Sequence, residues 1–145
     1  MFGTQTSTAS KVVGALLVIT GLLGIVILGT DQILMTSAPL HVYGLVVFVI
    51  VDFIVGGLVL AKPSKMGFAL CALWSLLRII IQIADVSQAQ MFQMQPGDFA
   101  NYLFNPAVVT PPNPPGVPAA IIDLIILLEL VVIVVAFRAR GSIST

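Results

Sequence analysis

Residues 40–86 read LHVYGLVVFVIVDFIVGGLVLAKPSKMGFALCALWSLLRIIIQIADV, and the fold turns on this stretch. It contains two apolar runs separated only by the four residues KPSK, and each run contains a charge where none is expected: Asp52 in the first, Arg78 in the second. A helix needs about 20 apolar residues to cross the hydrocarbon of a bilayer. Each run supplies that many, so the stretch reads as a tight hairpin of two membrane spans, at about 40–61 and 66–86.

The same reading extends outward. Residues 12–29 and 118–137 are equally apolar and complete a set of four spans. The first resembles the core of a signal peptide because Lys11 precedes it, but it is long and no small-residue cleavage site follows, so it is expected to be retained. Composition agrees. Of 145 residues, 59% are hydrophobic and 8% charged, and mean hydropathy is +1.13. An average soluble domain carries about a quarter charged residues, so this chain cannot cover a globule with polar surface. The expected fold is all-α and integral to the membrane. It is a four-transmembrane-helix bundle made of two antiparallel hairpins within a single domain, residues 1–145.

The basic residues orient it. Lys11 precedes span 1, Lys62 and Lys65 lie between spans 2 and 3, and Arg138 and Arg140 follow span 4. Four spans put all five on one side, with Asp31 and Asp98 opposite. Basic loops face the cytoplasm, so both termini are expected inside, in a multi-pass protein of a prokaryotic cell membrane. Six acidic and six basic residues cancel, leaving no basic stripe to attract nucleic acid.

The outer loop, residues 87–117, holds six of the nine prolines and the run TPPNPPGVP begins within it. Proline fixes φ and removes donors, so the second half is expected to be extended. The first half, with Met91, Phe92, Met94, Phe99, Tyr102 and Phe104, is too apolar for a solvated linker and suits contact with a membrane surface or another protein.

Span 3 has a polar face. At 100° per residue, Cys71, Ser75, Arg78, Gln82 and Asp85 fall within about 80° of one another. Lipid cannot face such a stripe, so span 3 is expected to lie in the bundle interior or at an interface. Span 1 offers a different surface: Gly14 and Gly21 lie on nearly one line with Gly24 close by, and Gly56 shares a face of span 2 with Asp52. Small residues let helix backbones approach closely in lipid, so these four glycines are candidate packing positions.

Depth decides which charges can meet. With a rise of about 1.5 Å per residue, Asp52 lies about 18 Å from the outer end of span 2, Glu129 about 17 Å and Asp123 about 8 Å from that of span 4, and Arg78 about 12 Å below that of span 3. Arg78 can therefore meet Asp123 laterally or reach towards Asp52 or Glu129. A central charge costs about 2.5–3.5 kcal/mol on insertion scales, and a guanidinium cannot escape by losing its proton. Arg78 must be paired. Asp123 and Glu129 lie about 120° apart around span 4, so if one faces the bundle the other points to its edge, where a second protein suits a carboxylate better than lipid.

These residues imply a non-catalytic accessory subunit of a larger integral-membrane complex, such as a respiratory or membrane-monooxygenase assembly. Its intramembrane charges (Arg78, Asp52, Asp123, Glu129, with Gln82 and Asp85) would pair helices and subunits. Two alternatives compete: a small proton- or cation-coupled transporter using Asp52 or Glu129, and copper handling by His41 with Met35, Met91 and Met94. Thioether with imidazole suits Cu(I), but no ligand spacing rule is met. Catalysis finds no support, since the single histidine has no placed nucleophile and no Gly-rich phosphate loop occurs. No cofactor is expected. Lone Cys71 excludes an internal disulfide and reads as a small packing residue. The expected partners are the lipid bilayer and other integral-membrane subunits.

Overall fold

The computed structural model of the chain describes the backbone of residues 2–30, 39–91 and 117–142, and the side chains of residues 8–30, 42–83 and 121–142. The described chain is all helical, with four elements: α1 (Phe2–Thr30), α2 (Pro39–Ala61), α3 (Lys65–Met91) and α4 (Val117–Ser142). Within them, Thr8–Thr30, Val42–Ala61 and Lys65–Ile83 are long and apolar enough to cross a membrane.

Local chemistry sets the boundaries. Pro39 opens α2, where its missing N–H and fixed φ cost nothing. The helix closes on the bond from Lys62 N to Leu58 O (2.9 Å), and Pro63 then prevents another turn. Ser64 caps α3: its Oγ accepts the Gly67 N–H at 3.0 Å, and its carbonyl accepts Phe68 N–H at 3.0 Å. Val and Ile runs in α2 have modest helix propensity, yet the helix continues unbroken to Ala61.

Two boundaries differ from the sequence reading. α1 begins at Phe2 and not near residue 12, because nothing in residues 2–11 breaks a helix and propagation is cheap once a nucleus exists. α3 runs to Met91, so residues 87–91 of the supposed outer loop are helical. Proline ends the reach of a helix and the next one is Pro96. Four charges, Asp123, Glu129, Arg138 and Arg140, lie on the last of these helices, the first two of them inside the expected span 118–137. α4 is thus the most highly charged of the four.

The helices alternate in direction. Gly14 lies against Leu60 and Gly56, Gly21 against Asp52 and Phe53, and Gly24 against Val49, so α1 and α2 run antiparallel. α1 also packs on α4, and α4 on α3, with a lighter contact between α2 and α3. Three layers result. At the end holding Lys11, Lys62, Lys65, Arg138 and Arg140, which we term the basic end, an apolar layer contains Val13, Leu17, Val59, Phe68, Cys71 and Val132. At the far end Ile27, Leu45 and Ile125 form a smaller apolar layer. Between them lies a polar layer in which Thr20, Asp52, Ser75, Arg78 and Glu129 are all 0% exposed.

The exterior inverts this pattern. Leu22, Ile50, Ile54, Leu58, Leu73, Ile80, Leu127 and Phe137 all point outward. Soluble proteins almost never bury Asp, Glu or Arg completely while exposing contiguous aliphatic faces. An inside built of charge and an outside built of hydrocarbon suit a solvent that is itself hydrocarbon.

Candidate functional site: a charge cluster shared by four helices

Arg78 sits at the centre of the polar layer. Its Nη1 donates to Asp52 Oδ2 on α2 and, at 3.1 Å, to Glu129 Oε1 on α4. The guanidinium carbon stands 5.4 Å from the Phe48 ring centroid, a cation–π distance. Phe48 in turn meets Trp74 edge-on, with centroids 5.7 Å apart and planes at 65°. One guanidinium therefore ties α2, α3 and α4 together.

Asp52 is the best-held member. Its Oδ1 accepts the Trp74 indole N–H at 2.8 Å. Its Oδ2 takes Arg78 and lies 3.0 Å from Thr20 Oγ1 on α1. That hydroxyl has a single proton and also lies 2.9 Å from Leu17 O, so it divides its donation between the two. Thr20 reaches Asp52 because α1 comes close: a Cβ on Gly21 would stand 3.3 Å from Asp52 Cβ, and one on Gly24 only 2.7 Å from Val49 Cγ2. The glycine seam and the charge cluster are one construction, since the first brings α1 within hydrogen-bond reach of the second.

Glu129 is held less fully. Arg78 is its one hydrogen-bond partner among the described residues, through Oε1, and Glu129 Oε2 has none. Ser75 Oγ, Gln82 Oε1 and the Nε and Nη2 of Arg78 are likewise buried without partners among the described residues. Counting formal charges, one arginine against two carboxylates leaves the cluster at minus one.

Of the candidates read from sequence, Arg78, Asp52 and Glu129 are in direct contact, and Gln82 is buried one turn along α3. Asp123 stands apart: it is half-buried on α4 and makes no ion pair or hydrogen bond among the described residues. The lateral Asp123–Arg78 pairing that depth alone allowed does not form: α4 is turned so that Glu129 meets Arg78, and Asp123, about 120° away around the helix, does not. Gly14, Gly21, Gly24 and Gly56 all lie in the α1–α2 contact. The side chains of Asp85, His41, Met35, Met91 and Met94 fall outside the described residues. Among those described, no group of three or more His, Cys, Asp or Glu gathers as a metal site.

Sequence reasoning missed Thr20, Trp74 and Phe48. Two left a signal. Thr20 is the sole polar side chain between residues 12 and 29, and Trp74 lies four residues before Arg78, on the same helix face. Phe48 left none, being one of eight phenylalanines in an apolar chain.

No family model, curated protein or solved structure matches this chain.

Proposed function

We propose that this chain is an integral membrane protein with four spans and acts as a non-catalytic accessory subunit of a larger membrane complex. The observation that carries the reading is the full burial of Asp52, Arg78 and Glu129 against one another. These charges are spent internally, on register and orientation, leaving the outward faces apolar and free for lipid and neighbouring helices. A buried ion pair is weak support for stability and better support for a unique arrangement, which is what a docking subunit needs.

The same burial supports α4 as the fourth span. Glu129 is hidden from lipid, and Arg138 and Arg140 lie in its last two turns. That leaves Asp123 as the one outward charge in its apolar stretch. A carboxylate there, half-buried and unpaired among the described residues, favours a contact supplied by another chain. The gathering of five basic residues at one end favours that end as the cytoplasmic one, and both termini with it.

The test is extraction in mild detergent, followed by native mass measurement and identification of co-purifying subunits. A hetero-complex of fixed stoichiometry is expected. A pure homo-oligomer that conducts protons or cations after reconstitution would replace this reading with the second one, a small ion-coupled transporter. One observation favours that alternative: Glu129 Oε2 is unpartnered inside a cluster of net charge minus one, where a proton or monovalent cation would balance the charge.

A further inference from the structure

A groove of about 230 Å³ opens between α3 and α4, lined among others by Phe68, Ala69, Ala72, Ala136 and Phe137, with Arg140 lining it at the basic end. We propose that it holds one acyl chain of an anionic phospholipid, with the lipid phosphate on the Arg140 guanidinium. The inference rests on the membrane reading above and adds a ligand class to a surface which that reading leaves unassigned.

The shape comes from residue size. Three alanines on facing helices leave a trough that the two phenylalanines wall in. The lining runs from Phe68 to Leu76 on α3 and from Ile133 to Arg140 on α4, so the trough extends roughly 12 Å along the bundle axis. At about 230 Å³ the trough suits a hydrocarbon chain and is too small to take in the body of a helix about 10 Å across. Its lining is hydrocarbon along its length, and its polar group lies at one end, as in an amphiphile's own layout.

Charge identifies the headgroup. Arg140 is exposed and has no hydrogen-bond or ion-pair partner among the described residues. Lys11, Lys62, Lys65 and Arg138 share its end of the bundle, and no described acidic residue lies there. A second copy of the chain would bring the same positive end to this face and be repelled. An anionic lipid brings the complementary charge, and guanidinium–phosphate bonds are charge-assisted and directional.

The experiment uses the full chain reconstituted in phosphatidylcholine nanodiscs containing a minority of phosphatidylglycerol with matched acyl chains, then transferred to mild detergent. Lipids retained per protein are counted by native mass spectrometry. The parent protein is expected to retain one phosphatidylglycerol in preference to phosphatidylcholine. R140Q should reduce that preference roughly tenfold, as loss of a charged hydrogen bond to phosphate implies. R138Q removes the same charge from outside the groove and should reduce it by twofold or less. A69L, which fills the trough at a half-buried position, should abolish retention of the lipid while leaving Arg140 intact.

Equal losses in R138Q and R140Q would overturn the site in favour of a diffuse field, as would lipid retained by A69L. Co-purification of a protein on this face, lost in A69L, would likewise overturn it. Extraction of the parent chain from membranes by alkaline carbonate would instead defeat the membrane reading, so the two failures are distinguishable.

Discussion

Replacing Arg78 by leucine is the most informative single change, because the geometry lets its cost be worked out. Removing one partner of a buried ion pair costs about 3–5 kcal/mol through the charge left behind. Here two carboxylates are released, but unequally. Asp52 keeps the Trp74 indole and the Thr20 hydroxyl, whereas Glu129 keeps no partner among the described residues. The cation–π contact with Phe48 adds about 0.5–2 kcal/mol. A total of roughly 5 kcal/mol approaches the whole stability of many domains. R78L should therefore accumulate poorly and unfold at much lower SDS fraction in micelles. Trp74 is the protein's single tryptophan and sits in the cluster, so its emission reports the event directly. The triple variant R78M/D52N/E129Q removes every charge together and should recover most of the loss, since replacing a buried pair with uncharged groups of similar size is often neutral. An R78L protein that unfolds with the parent, with unaltered Trp74 emission, would refute the argument that this arginine is held by its acids.

Other substitutions separate the members of the cluster. D52N should cost about 2–3 kcal/mol and E129Q about 1 kcal/mol or less, because Asp52 accepts from three side chains and Glu129 from one; SDS unfolding gives the order, and a larger loss for E129Q contradicts it. Full assembly of E129Q with complete loss of function would favour ion handling over the accessory role. Adjacent glycines give a second contrast. A Cβ on Gly56 would stand 3.1 Å from both Gly14 O and Leu17 Cβ, whereas Gly57 meets nothing within 4 Å. G56A should destabilise by about 1–3 kcal/mol and G57A should be neutral or stabilise by up to about 1 kcal/mol; equal melting temperatures for the two would deny the close α1–α2 approach. S64A, which deletes the cap on α3, should cost about 1 kcal/mol in the same assay.

Much of the architecture was legible because the interior of this chain contrasts so strongly with its exterior. The hairpin at KPSK followed from length and proline, and the polar stripe of Cys71, Ser75, Arg78 and Gln82 from helical period. Each of those four side chains is buried. Depth bookkeeping placed Asp52 and Glu129 at one level but could not choose among three acids for Arg78. That choice depends on rotation of α4 about its axis, which directs Glu129 inward and leaves Asp123 half-buried. A linear sequence fixes the angle between two residues on a helix and not the direction of either towards a neighbour. Helix ends were harder still. Hydropathy marks where greasy residues stop, and α1 and α3 continue past that point because polar residues such as Thr4, Thr6 and Gln88 are acceptable in a helix. Trp74 was overlooked because an indole reads as an apolar residue in a hydropathy pattern, although its N–H is one of three side-chain donors that hold Asp52.

The layered polar core has a bearing on the order in which the chain is made. Ribosomes release Asp52 first, Arg78 comes 26 residues after it, and Glu129 a further 51 residues later. A nascent chain that has completed only α1 to α3 already holds a balanced aspartate–arginine couple, with Thr20 and Trp74 in attendance. The surplus negative charge arrives with the final helix, whose acidic side chain finds its cationic berth prepared. Truncation before α4 should thus leave an electrically neutral three-helix intermediate, whereas excision of α2 removes Asp52, leaving Thr20 and Trp74 without their acceptor and Arg78 with Glu129 alone.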